Sequence, residues 1–456
     1  MSIRAVQLDV YRTAIAMRSF EHAAATRNQA EAVVVRAVFS DGVSGWGETL
    51  PRPYVTGETL ESVVADLEGL IWPALAELDF SGVEAEVAAA LAAIPTAGAD
   101  GRCINAAACA AELACVDAHL KRRGLASPAG LLGVAEHPHP ALRATLPRQW
   151  GGDHPYRPEG HLPRQGGGDH PHRPEGHLPR QGGGDAEETG SGSRDTQELA
   201  ASTGWILPRV TGVLGSSDAG KTARRLRLMR WYGLRDFKLK LGLGPAVDSA
   251  NLAVAGARLA GALAAGRCTL RVDVNGGWTA DETPARVVEL RAMGVCAVEQ
   301  PVFCGASELV ELARRCELPL IADESLLTDS DAEALLAEPA KVWWNIRISK
   351  NGGLVRTGRL SARAAAAGST VVLGCMVGES GILSAAQRRL LQALGASVRF
   401  VEGNYGRLLL AGDIVRRSPR FGYGGRLSVL GGAGLGVEVD PARMARWARR
   451  VATLGR

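Results

Sequence analysis

After residue 206 the chain repeats one pattern eight times, and that repetition leaves few folds open. Short apolar runs lie near residues 209, 237, 270, 297, 320, 343, 371 and 398. RVTGVLG is followed by helical spacing through Trp231, FKLKLG by helical spacing through Leu263, and TLRVDVNGG by helical spacing through Met293. CAVEQP, LPLIADES, KVWWNIRIS and STVVLGCMVGES each precede another such stretch, and SVRFVEGN closes the series. Strands covered by helices on their outer face run parallel. Eight such units predict an α/β fold, a TIM-type (β/α)8 barrel over residues 206–404.

The N-terminal part reads differently. Val6 to Tyr11 alternates, and residues 30–48 contain two β-rich runs joined by Asp41-Gly42, a hairpin signal. From Thr59 the period becomes helical through ESVVADLEGLIWPALAEL, VEAEVAAALAAI and INAAACAAELACVDAHLKRRG. Residues 1–133 therefore predict a small α+β domain. Residues 134–205 carry a 16-residue repeat starting at Leu146, Leu162 and Leu178, rich in Pro, Gly and charge. Such a segment cannot bury a core and is expected to be a disordered insertion. Seven of the nine histidines lie in 137–177, so adventitious metal binding is conceivable, but an expanded surface linker explains the repeat more simply.

Composition excludes several function classes. A net charge of +4 over 456 residues, with no basic block interleaved with aromatics, argues against nucleic acid. No run of about 18 apolar residues is present, so no membrane span is expected. The N-terminus lacks the apolar stretch of a signal peptide. The eight cysteines lack CxxC spacing, which fits reduced thiols in the cytoplasm.

Barrel enzymes carry their chemistry at the C-terminal ends of the strands. Those ends hold Lys238 and Lys240, Asp273, Glu299 and Asp323. Three acids close three successive strands, where neighbouring ends can converge on one cation. Hard carboxylate oxygens suit Mg2+, with Mn2+ as the alternative. Helix capping would account for one such acid more easily than for three. Lys238 and Lys240 are two apart and share one face of their strand. A lysine facing a dication and a second ammonium should have a lowered pKa, as a general base requires.

These residues, with "EQP", "DES" and the "GG" after the sixth strand, resemble the enolase superfamily, in its mandelate racemase/muconate-lactonizing subgroup. The resemblance covers nearly the whole chain outside 134–205. It implies that "DGVSGWGE" and "RPYVTGET" belong to a capping domain, with residues 16–30 and 51–59 as loops over the substrate. Residues 405–456 would then return to that domain. It also implies a small carboxylate substrate whose α-proton is removed to give a metal-held enolate. Asp273, Glu299 and Asp323 would be the metal ligands, Lys240 the base and Lys238 its support. Tyr54, Asn275 and Glu379 would face the substrate, and Glu379 or Glu402 could orient Lys240. No histidine follows His177, so the His–Asp base of mandelate racemase is excluded. A homo-oligomer is left open.

The departure lies in "WWNIRISKNGG". The subgroup's second catalytic lysine falls 24 residues beyond the third metal ligand, and here that position is Arg347. Arginine is a poor proton carrier. Lys350, at an odd offset, is expected to face the other way. One-base chemistry suits a cycloisomerase, or a syn-eliminating lyase resembling o-succinylbenzoate synthase or an acid-sugar dehydratase. An amino-acid or dipeptide epimerase is less favoured, because the Asp-x-Asp expected on strand eight is missing. "GSSDAGKT" (215–222) matches the P-loop pattern between a strand and a helix, so a nucleotide-binding protein is the competing class.

Overall fold

A computed structural model describes residues 2–22, 25–134 and 207–455, with the side chains of 19–27 and 396 excepted. The 16-residue repeats lie outside the described residues. Within the described part, β1 (Ala5–His22), β2 (Ala25–Phe39) and β3 (Ser44–Thr49) form an antiparallel meander, with Gly42 at φ 82° in the turn joining β2 and β3. The expected loop at 16–30 is instead the far half of a long hairpin arm, paired from Phe20–Arg27 to His22–Ala25 beyond a register shift. The reason is visible in TAIAMR: Thr13, Ile15 and Met17 are buried while Ala14, Ala16 and Arg18 are exposed, the period of a strand.

The barrel strands are β4 (Gly212–Leu214), β5 (Asp236–Lys240), β6 (Thr269–Asp273), β7 (Ala297–Glu299), β8 (Leu320–Ala322), β9 (Val342–Ile346), β10 (Val371–Leu373) and β11 (Val398–Val401). They pair in chain order, all parallel. A parallel bridge between Val210 and Val401, with Thr211 N donating to Val401 O at 2.7 Å, joins the last strand to the first. The lower interior is filled by Ala297, Ile321, Trp343, Val372 and Phe400, with Trp343 and Phe400 stacked at 6.0 Å. This packed floor confines chemistry to the upper end.

After a short hairpin of β12 (Phe421–Gly422) and β13 (Arg426–Leu427), the chain returns to the first sheet. There β14 (Ala448–Gly455) pairs antiparallel with β1, giving the order β14-β1-β2-β3. The helix Asn105–Arg122 packs on β3 so closely that side chains are excluded. A Cβ on Gly45 would fall 2.0 Å from Ala114 O, and one on Gly47 1.9 Å from Ala110 O. The alanines of INAAACAAELAC and the glycines of SGWGE are thus two halves of one contact.

Two buried carboxylates of this capping domain reach the starts of barrel helices. Glu112 accepts from Leu354 N (2.8 Å) and Val355 N (2.7 Å), opening the helix Leu354–Ala366. Glu48 accepts from Ser380 N (3.0 Å), Ser380 Oγ (2.7 Å) and Leu383 N (3.0 Å), opening the helix Gly381–Leu394. Helix N-termini leave amides that acids satisfy well. No helix among the described residues is long and apolar enough to cross a membrane.

Candidate functional site

Strand alternation turns Lys238 and Lys240 inward from β5, and both are almost fully buried. Lys240 Nζ donates to Asp273 Oδ2 (2.8 Å) and to Asn275 Oδ1 (2.7 Å). Lys238 Nζ meets three acids: Glu402 at 2.6 Å, Glu299 at 3.1 Å and Asp273 at 3.4 Å. Burial alone pulls the Lys238 ammonium down, but Glu299, Glu402 and Asp273 outweigh it and hold the group above the ordinary lysine range. The lowered value expected from the sequence assumed a dication beside the lysine. Three acids face this ammonium directly; a dication among them would act in the opposite sense.

Asp273, Glu299 and Asp323 are all fully buried at neighbouring strand ends. Burial pushes Glu299 up to about 8, and Asp273 beside it pushes in the same direction. Asp323 is held below the carboxylate range, since Arg347 and Lys350 overcome its burial. Arg347 Nη2 bonds Asp323 Oδ2 directly and lies 3.7 Å from Glu299 Oε1. Lys350 does not face away as expected. Its Nζ donates to Asp323 O (2.6 Å), Asp323 Oδ1 (3.0 Å) and Asn345 O (2.8 Å). It sits in the turn after β9, ahead of Gly352 and Gly353 at φ 82° and 120°, where the two-residue strand period no longer applies.

Above these groups lies a cavity of about 400 Å3. Lys238, Lys240, Asn275, Arg347 and Glu379 line its polar side, with Tyr54 reaching in from the capping domain. Val213, Met229, Tyr232, Leu234 and Phe421 make an apolar wall. Asn275 is not a free substrate contact, because it carries Lys240 on Oδ1 and donates to Glu324 Oε1 at 3.3 Å. Glu379 accepts from Met376 N (2.7 Å), and burial raises it to about 8.

The donor set of three buried, adjacent carboxylates fits a hard dication by its chemistry. As they stand, however, no three His, Cys, Asp or Glu side chains among the described residues are arranged to hold an ion. The acids are turned toward Lys238, Lys240, Arg347 and Lys350 instead.

The P-loop reading is overturned. Asp218 Oδ1 accepts from Gly220 N (2.7 Å) and Lys221 N (3.2 Å), so amides a phosphate would need are taken by the chain's own carboxylate. Gly215 is small because Lys240 passes it: a Cβ there would sit 2.9 Å from the Lys240 Cβ.

Residues 221–443 match the family model for the enolase C-terminal domain-like fold, and residues 5–133 match the mandelate racemase / muconate lactonizing enzyme N-terminal domain. The chain belongs to the enolase superfamily, in its muconate-lactonizing subgroup. Muconate cycloisomerase 1 of Pseudomonas putida is 34% identical over 272 residues, which are 58% of this chain and 66% of that protein. The L-Ala-D/L-amino acid epimerase of a Maribacter species is 34% identical over 170 residues, 37% of this chain and 48% of the relative. The alignments thus span less than two thirds of these superfamily members. The solved muconate lactonizing enzyme of Pseudomonas fluorescens, complexed with muconolactone, superposes with a TM-score of 0.71 at 25% identity, covering 98% of this chain and 99% of that one. The N-succinyl Arg/Lys racemase of Bacillus cereus, at 20% identity and a TM-score of 0.72 over 99% of both chains, shares the fold.

Sequence reasoning missed two residues of this site, Arg271 and Glu324. Arg271 reaches from inside the barrel to Glu402 Oε1 (3.1 Å) and Thr211 Oγ1 (3.0 Å), fixing the acid that holds Lys238. Its place two residues before Asp273, on the same strand face, was the available signal. Glu324, the middle residue of "DES", is buried beside Asn275, and desolvation raises it to about 7.

Proposed function

We propose that the protein is a Mg2+-dependent enzyme that removes the α-proton of a small carboxylate with Lys240 as its one base, most simply a cycloisomerase of the muconate type. The observation that carries this reading is the asymmetry of the cavity. Lys240 borders it from β5, while the position across from it holds Arg347, which is buried against Asp323. Arginine keeps its proton, so it stabilises charge without carrying a proton to or from carbon.

Lys240 in its neutral form takes the proton from the α-carbon onto Nζ, leaving the electron pair delocalised into the carboxylate. Asp273 and Asn275 hold Nζ in place for that transfer. Arg347 donates to the developing charge from the opposite side. The electron pair then expels a β-leaving group, which opens a ring where that group is a lactone oxygen; in the closing direction a carboxylate oxygen adds to the β-carbon first and the enolate so formed takes its proton from Lys240, on one face only. The residues that would hold Mg2+ (or Mn2+) are Asp273, Glu299 and Asp323; when bound, the ion supplies positive charge for the substrate carboxylate. Tyr54 and Glu379 border the cavity that the substrate would enter. The epimerase reading is not favoured, because Glu402 is spent on Lys238 and Arg271, and Asn404 on Arg388 and Gln387. The eight unpaired cysteines support a reducing, cytoplasmic setting.

The test is exchange in D2O with muconates, muconolactones, succinylbenzoate precursors and N-acyl amino acids. Deuterium should enter one enantiomer or face only, and Lys240→Ala should abolish it. Equal exchange from both enantiomers would sink the one-base mechanism.

A further inference from the structure

This inference rests on the reading that three strand-end acids hold a divalent ion, and it concerns what an ion meets on arrival. Both oxygens of Asp323 already face side-chain cations, Oδ2 bonding Arg347 Nη2 and Oδ1 lying 3.0 Å from Lys350 Nζ. The same Arg347 nitrogen lies 3.7 Å from Glu299 Oε1. One guanidinium therefore spans two of the three acids. It is seated rather than loose: the Arg347 backbone N donates to Asn351 Oδ1 at 2.9 Å, and Nη1 lies 3.6 Å from Met376 Sδ. The next strand makes room for it, since a Cβ on Gly374 would fall 3.0 Å from Arg347 Cγ and 2.2 Å from Asn345 Oδ1.

A second observation comes from the acceptors. Asn345 Oδ1 and Glu324 Oε2 are buried without a hydrogen-bond partner, and both residues border this cluster. Buried acceptors left unpaired cost free energy and point to a further donor or cation. The cluster thus holds acceptors that the residue cations leave unpaired, beside an Arg347 Nε that is unpaired as well, while two of its three acids are bridged by that one guanidinium.

We propose that Arg347 competes with the divalent ion for Asp323 and Glu299, so that ion binding requires the guanidinium to swing off these acids toward the cavity. Binding of the ion and delivery of a positive charge to the substrate side are then one event. Arg347 sets the affinity for the ion rather than sharing in its coordination, and a ligand carboxylate that pairs with the released guanidinium tightens the ion. The coupling is reciprocal, because each ligand favours the same arrangement.

The experiment is a Mn2+ titration followed by electron paramagnetic resonance on wild type, Arg347→Gln and Arg347→Lys, with circular dichroism to establish folding. Arg347→Gln should bind Mn2+ about tenfold more tightly or better, equivalent to roughly 1.4 kcal/mol. Mg2+ should also raise the melting temperature of Arg347→Gln more than that of wild type. Arg347→Lys, with a shorter single-point cation, should fall between and serves if the glutamine variant does not fold. Unchanged or weaker Mn2+ binding in the folded variants overturns the competition and leaves the metal reading standing. Absence of Mn2+ binding in every form overturns the metal reading, and the competition with it.

Discussion

Glu48→Gln isolates a single proton in the joint between the capping domain and the barrel. Glu48 is 1% exposed, and burial raises its carboxyl from an ordinary 4.5 to about 7, against the opposing effect of its bonds from Ser380 and Leu383. Below pH 4.5 the group is protonated both folded and unfolded. Between 4.5 and about 7 the folded chain keeps a proton that the unfolded chain has lost. The stability from the neutral carboxyl is therefore complete below the unfolded value and drains away as pH rises through about 7. At 1.36 kcal/mol per pH unit, the span from 4.5 to about 7 amounts to about 3 kcal/mol. The Ser380 amide bonds Oε1 and the Leu383 amide Oε2, so glutamine can serve only one of them with its single oxygen, while the Ser380 hydroxyl can turn to accept from the new amide. At pH 5 the variant should be less stable than wild type by about 1–3 kcal/mol, the cost of the amide left unpaired. By pH 8 the difference should have moved in the variant's favour by up to about 3 kcal/mol. Urea midpoints at pH 5, 6, 7 and 8 measure this directly. Parallel pH profiles for the two proteins, or a variant that loses ground as pH rises, would refute the reasoning.

Three further outcomes are expected. Lys240→Met should lower kcat by roughly 10²- to 10⁴-fold on any accepted substrate while circular dichroism stays unchanged, as loss of a general base does. Gly45→Ala should destabilise the chain by about 1–3 kcal/mol in thermal or urea unfolding, because its Cβ would meet Ala114 O at 2.0 Å. Asp218→Ala should cost about 1 kcal/mol as a lost helix cap, with no ATP- or GTP-dependent change in melting temperature; nucleotide stabilisation of wild type would revive the P-loop.

The barrel was legible because its signals are local: each strand and the helix after it lie within one short stretch, and the strand ends follow from the pattern. The acids and Lys240 could be placed for the same reason. Lys350 could not, since its direction depends on the turn before Gly352 and Gly353 rather than on strand period. The hairpin arm through His22 was read as loop on the strength of resemblance, although the alternation of Thr13, Ile15 and Met17 signalled a strand. Contacts between residues far apart were beyond local reading. Glu48 meets Ser380 from 332 positions away, and Arg271 meets Glu402 from 131. For Arg271 a charged residue within an apolar strand was the visible clue, and in neither case was the partner visible.

The antiparallel pairing of β14 with β1 has a consequence for how the protein is made. Ribosomal synthesis delivers β1 first and β14 only after the barrel strands. Until then β1 presents an open edge, with its backbone donors and acceptors along Gln7–Thr13 unsatisfied. Meanwhile Glu48 and Glu112 wait for helices that begin more than 240 residues later. The nascent capping domain is therefore an unfinished sheet with two stranded acids, and a nascent chain has to be shielded from pairing that edge with a neighbour until its final strand emerges.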